Sequence, residues 1–210
     1  MSIGTKEEIR KKFPRVTPIR YYKLKHKYHG NYYHKLNKFY IHKMRKLFPN
    51  VHLTDKYHDF SYNSISKIPK IPSDCILLDI STNKIQDKDY TIMKIGEKHN
   101  DGYHVSIILI NHITKQAEWF DTGSLKGTEY DNIKFFLQYH LIGYDIRIVN
   151  NDHWIQEADK DHYCQSWIYY YIYQRLYKNK TSDEIINKIM SRDAKKRMDI
   201  IFNFFHKIST

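Results

Sequence analysis

The stretch DHYCQSWIYYYIY, residues 161–173, sets one cysteine at the mouth of a run of large apolar and aromatic residues. From Cys164 to Tyr177 the pattern is helical. A cysteine in such a place is either a small core residue or a nucleophile held at a helix start. A helix N-terminus carries unpaired N–H groups and partial positive charge. Both favour a thiolate over a thiol, whose free pKa is about 8.5. A thiol alone catalyses nothing, so the choice turns on whether the chain also supplies a base and a group to orient it.

Upstream of the cysteine the chain turns β-rich. CILLDIS (75–81) and YTIMKIG (90–96) read as strands. HVSIILI (104–110) and AEWFDTG (117–123) flank the turn-like NHITKQ, which predicts an antiparallel hairpin. His104 opens the first hairpin strand and Asp121 closes the second, so the pairing brings them to the same end of the sheet. That is the arrangement in which a carboxylate holds an imidazole in one tautomer. Asp121 on its own reads equally as a cap on the turn before Gly123. Residues 126–140 read as a helix with Ile133, Phe136, Leu137 and His140 on one face. YDIRIVN (144–150) alternates as a strand and leads through Gln156 to Cys164. The tail from residue 182 reads as two helices, with Ser182 and Glu184, then Ser191 and Asp193, as their start signals. Pro49, Pro69 and Pro72 mark a loop-rich linker over 51–74. The order of helix, strands and helices is an α+β class. It divides into a basic extension (1–50), a linker (51–74) and a body (75–210).

The net charge of +12 is unevenly placed. Residues 1–50 hold 14 Lys or Arg against two Glu, while residues 51–210 hold 21 against 21. Within 20–48, basic residues alternate with Tyr and Phe, and Leu36, Phe39, Tyr40, Met44 and Leu47 recur at helical spacing. Two readings stand side by side. Arg20, Lys23, Lys25, Lys27, Lys35, Lys38, Lys43, Arg45 and Lys46 form an arm for DNA or another polyanion, or the helix packs on the body and turns a solvated basic face outward. No apolar run of about 18 residues predicts a membrane span, and the charged N-terminus MSIGTKEEIRKKFP lacks the apolar core of a signal peptide. Two cysteines make no disulfide framework. A cytosolic or nuclear protein with free thiols is expected, with Cys75 structural. Cys75 and Cys164 lie far apart, with no ligand spacing around them, so neither a metal nor another cofactor is expected.

The order His, acid, Gln, Cys, with the cysteine opening a hydrophobic helix, resembles the adenain and SUMO-protease (Ulp-type) cysteine peptidases. The pieces that carry it are GYHVSIILIN with His104, AEWFDTG with Asp121, and WIQEADKDHYCQSWIYYYI with Gln156 and Cys164. The resemblance implies a papain-like, permuted fold: a central mixed β-sheet flanked by helices, here with a basic helical N-terminal extension. It implies Cys164 as nucleophile and His104 as general base. Asp121 would orient the histidine, and Gln156, or else Gln165 or Trp154, would form an oxyanion hole with the Cys164 N–H. One departure is plain: cellular SUMO proteases show Asp-Cys-Gly at the nucleophile, and this chain has Tyr163-Cys164-Gln165. In composition and brevity the chain looks more like proteases of large DNA viruses. The resemblance then implies cleavage of a viral precursor or a ubiquitin-like conjugate in the host cytoplasm or virion, or in the nucleus. Two other classes remain open: an inactive, nucleic-acid-binding virion protein, and an acyltransferase on the same scaffold.

Overall fold

The structure, a computed structural model, describes residues 32–59, 88–99, 102–123, 134, 137–149, 155–156 and 163–209. Its elements run α1 (Tyr32–Leu47), β1 (Val51–Asp59), β2 (Tyr90–His99), β3 (Gly102–Asn111), β4 (Gln116–Phe120), β5 (Asp145–Val149), α2 (Cys164–Leu176), α3 (Ser182–Met190) and α4 (Ala194–Ser209). The fold is α+β, with helices before and after the sheet in the chain. Residues 48–168 form one compact unit, and residues 1–47 with 169–210 form another. The candidate strand 75–81 lies outside the described residues, as does most of the expected helix 126–140.

The five strands lie in the order β1-β2-β3-β4-β5. The inner pairs, β2 with β3 and β3 with β4, are antiparallel; the outer pairs, β1 with β2 and β4 with β5, are parallel. The middle of the sheet is buried on both faces. Ile92, Met93 and Ile95 of β2, and every residue from Val105 to Ile110 of β3, are buried. Strands buried on both faces read as continuous apolar runs rather than alternations, which is why β3 was plain in the sequence.

Residues 51–59, read from the sequence as the start of a loop-rich linker, instead form the edge strand β1. Its signal is short. Leu53 and Thr54 are buried, but the polar residues of VHLTDKYHD mask the alternation. The ladder to β2 also slips between Leu53 and Tyr57, so no clean two-residue period runs along the strand.

The hairpin turn between β3 and β4 is set by Asn111, whose Oδ1 accepts the N–H groups of Ile113 and Thr114, both at 3.0 Å. Lys115 takes a left-handed φ of 55° to close it. The register pairs Ile107 with Phe120 and Ile108 with Trp119. Asp121 therefore follows the last paired residue of β4, and His104 lies three residues before Ile107. Their shared face is fixed one step inward, where the Trp119 indole N–H donates to Ser106 Oγ at 3.1 Å.

In the other unit, α1 packs through Leu36, Tyr40, Ile41 and Met44, all buried. Tyr40 stacks on Tyr169 with centroids 4.7 Å apart, and Tyr169 donates its hydroxyl to Asn37 Oδ1 at 2.8 Å. Phe39 meets Phe205 of α4 at 5.5 Å. The expected stripe ends early, for Leu47 is exposed. Helix α3 begins with a capping box one residue before the expected Ser182: Thr181 Oγ1 accepts the Glu184 N–H at 3.2 Å, and Glu184 Oε2 accepts the Thr181 N–H at 2.8 Å. Asp193, not Ser191, caps α4, accepting the Lys196 N–H at 2.9 Å.

Candidate active site

All four residues singled out as an active site lie within the unit of residues 48–168. Strand β3 carries His104 to one end of the sheet, and the end of β4 delivers Asp121 beside it. His104 Nε2 lies 2.7 Å from Asp121 Oδ1. The same carboxylate oxygen accepts the Gly123 N–H at 2.6 Å. Asp121 thus caps the turn and holds the histidine at once. Its side chain is 3% exposed, while that of His104 is 20% exposed, so the pair is shielded and the imidazole keeps an opening to solvent.

Burial by itself would lower the His104 pKa. The charge and hydrogen bond of Asp121, with a further hydrogen bond and charge interaction from Cys164, outweigh burial and push it up to about 11 from 6.5. Both partners favour the protonated ring. Asp121 takes Nε2, which leaves Nδ1 as the ring nitrogen for the sulfur.

Cys164 is the first residue of α2, is buried, and is not in a disulfide. The first turn closes through the Trp167 N–H on the Tyr163 carbonyl at 3.0 Å, which places Cys164 and its N–H in the first turn of the helix. From Cys164 to Tyr173 every residue is buried. A helix buried all round is a rigid mount for its first side chain.

Gln156 is tied to the residue after Asp121. The Thr122 hydroxyl donates to Gln156 Oε1 at 2.9 Å, and the Thr122 carbonyl accepts the N–H groups of Ile155 at 3.0 Å and Gln156 at 3.2 Å. The amide oxygen is thereby engaged and the Nε2 hydrogens face the other way. Thr122 was not singled out in the sequence. Its only signal there was adjacency to Asp121, since no periodicity marks a turn residue that reaches 34 positions along the chain. Residues 157–162 and Cys75 lie outside the described residues. Among the described residues, no group of His, Cys, Asp and Glu could hold a metal ion, and no helix is long and apolar enough to cross a membrane.

Of the basic residues, Arg20, Lys23, Lys25 and Lys27 lie outside the described residues, and Lys35 lies on α1. Lys38, Arg45 and Lys46 are exposed on α1, and Lys43 is half-exposed over the Phe39 ring at 5.9 Å. The structure also redistributes the charge of the formally neutral body. Residues 48–168 hold 12 Lys or Arg against 17 Asp or Glu, whereas 169–210 hold nine against four.

No protein-family model matches the sequence, and no curated protein resembles it in sequence. Solved structures do resemble it in fold. ChlaDUB1, an effector protein of Chlamydia trachomatis, matches with a TM-score of 0.56 at 10% identity over 82% of this chain and 81% of that one. The effector Cdu1 of the same organism, solved bound to ubiquitin, matches at 0.53 and 11% identity, over 82% and 89%. The C-terminal Ulp1 protease domain, in complex with the yeast ortholog of SUMO, aligns at 0.45 and 14% identity, over 85% and 75%. The chain shares with the Chlamydia proteins an α+β fold built on a mixed five-stranded sheet.

Proposed function

We propose that the protein is a thiol peptidase that cleaves the amide bond at the C-terminus of a ubiquitin-like protein, with Cys164 as nucleophile. The observation that carries this reading is His104 held at 2.7 Å by buried Asp121 while interacting with Cys164 at a helix start. The likeness in fold to a protein solved bound to ubiquitin supports the substrate class.

The chemistry follows from the geometry. The Cys164 thiolate attacks the scissile carbonyl carbon, and the carbonyl electron pair moves to oxygen. Gln156 Nε2 and the Cys164 N–H donate to that oxyanion. As the tetrahedral intermediate collapses, His104 Nδ1–H gives its proton to the leaving amine and a thioester remains. Water then attacks the thioester with neutral His104 taking its proton. The acid departs and the thiolate–imidazolium pair returns. Asp121 keeps the ring oriented throughout.

Fluorogenic C-terminal amides of ubiquitin and of SUMO test the reading. Turnover by the wild type, and its loss in Cys164→Ala and His104→Ala, is the expected result. Thioester formation from acetyl-CoA with no amide hydrolysis would replace it with the acyltransferase reading. If neither reagent reacts, an inactive body and a peptidase of another substrate remain. In the viral reading, drawn from the composition and brevity of the chain, the substrate is a precursor protein instead. Cleavage of such a precursor, with both fluorogenic amides left intact, is its mark.

One observation favours a second property, polyanion binding. The exposed face of α1 presents Lys38, His42, Arg45 and Lys46, and the helix contains no acidic residue. Its apolar face is spent on packing within its own unit, which leaves phosphate electrostatics as the binding term. Changing Lys38, Lys43, Arg45 and Lys46 to Glu should abolish DNA binding at low salt while circular dichroism stays unchanged. Undiminished binding by that folded variant refutes it.

A further inference from the structure

We infer that Thr122 is a positioning residue that fixes the Gln156 amide with its nitrogen outward, as an oxyanion donor must be. The inference rests on the peptidase reading above and concerns a residue which that reading does not need by itself. Asp121, Thr122 and Gly123 form one turn with two tasks. Asp121 Oδ1 takes His104 Nε2 and the Gly123 N–H. The next residue reaches the other way, donating its hydroxyl to Gln156 Oε1 and accepting two backbone N–H groups from 155 and 156. Thr122 is fully buried, so water does not reach its hydroxyl or its carbonyl.

The physical need is specific. A primary amide has an acceptor end and a donor end of nearly equal shape, and only its hydrogen-bond partners choose between them. A donor aimed where charge develops must already be oriented when the reaction begins, or reorganisation consumes its benefit. The two backbone bonds hold residues 155–156 against the turn, and the hydroxyl selects the amide rotamer. Since the same three residues seat the His104 partner, the base and the oxyanion donor are set by a single rigid segment.

The test compares Thr122→Val, which keeps shape and loses the donor, with Thr122→Ser, which keeps the donor. Turnover of fluorogenic ubiquitin or SUMO amides gives kcat and KM. Thr122→Val should lower kcat about 10-fold, the loss expected for one neutral hydrogen bond, with KM unchanged. Thr122→Ser should retain wild-type kcat. In a Gln156→Ala background, itself slowed roughly 100- to 1,000-fold, Thr122→Val should have no further effect. Alkylation of Cys164 by iodoacetamide needs no oxyanion donor and should stay at the wild-type rate in every one of these variants. The side-chain amide of Gln156 supplies a readout independent of turnover. Its 1H–15N pair should be sharp in wild type and Thr122→Ser, and exchange-broadened in Thr122→Val. A sharp, unshifted pair in Thr122→Val overturns the inference whether or not the protein hydrolyses anything. So does a Thr122→Val effect that persists undiminished without Gln156, which would mark Thr122 as merely structural. Absence of turnover in the wild type, with the amide pair behaving as expected, refutes the peptidase reading and leaves the placement of the amide by Thr122 standing.

Discussion

Replacing Asp121 with Asn removes one charge and almost nothing else. The side chain keeps its shape, and its oxygen can still accept the Gly123 N–H now at 2.6 Å. What disappears is the anion 2.7 Å from His104 Nε2. Burial lowers the His104 pKa and Asp121 supplies the larger share of what raises it to about 11. Without that charge burial should pull the His104 pKa down, and the positive charge beside Cys164 is lost. A hydrogen bond to a charged group is worth about 1.5–3 kcal/mol, which at 1.4 kcal/mol per decade is roughly 10- to 140-fold in rate. The assay is iodoacetamide alkylation of Cys164, followed by mass spectrometry from pH 5 to 9. Asp121→Asn should label that much more slowly at pH 7, because the charge that favours thiolate beside the sulfur is gone. Stability carries the same sign. A histidine whose folded pKa is raised contributes stability that is fully present below 6.5 and lost as pH climbs to about 11. The margin of wild type over Asp121→Asn should therefore shrink between pH 7 and pH 10. Identical labelling profiles for the two proteins would refute the ion-pair reasoning.

Three further outcomes are expected. Cys164 should be alkylated faster than Cys75 near neutral pH, and His104→Ala should slow it; equal, slow labelling of both thiols would argue for a structural cysteine. Thr181→Ala breaks the capping box at the start of α3 and should cost about 1 kcal/mol, or roughly 2–4 °C in Tm, with Cys164 labelling unaffected; an unchanged Tm contradicts it. Tyr169→Phe leaves buried Asn37 without its 2.8 Å donor and should cost about 1–3 kcal/mol in chemical denaturation, which a midpoint equal to wild type would exclude.

The sequence by itself determined the elements with strong local signals. The apolar run of β3, the turn residues that make it a hairpin with β4, and the aromatic helix opened by Cys164 were legible because each depends on neighbours within about ten positions. The meeting of His104 with Asp121 was legible for the same reason, since hairpin pairing converts sequence order into proximity. Strand β1 was not. Its partner β2 lies across residues 60–89, and a parallel edge strand with few apolar residues owes its form to that distant ladder. The packing of α1 was likewise open, because a basic helix with an apolar stripe is compatible with an arm or a docked helix. Buried Tyr40 against Tyr169 chose the docked state. The role of Thr122 was invisible, because a hydroxyl carries no periodic signal and its partner Gln156 becomes a neighbour only through the turn that the sheet places there. Local patterning fixes which elements form, whereas long-range hydrogen bonding and burial decide which polar atoms face one another. The chemistry of the site lies in that second decision.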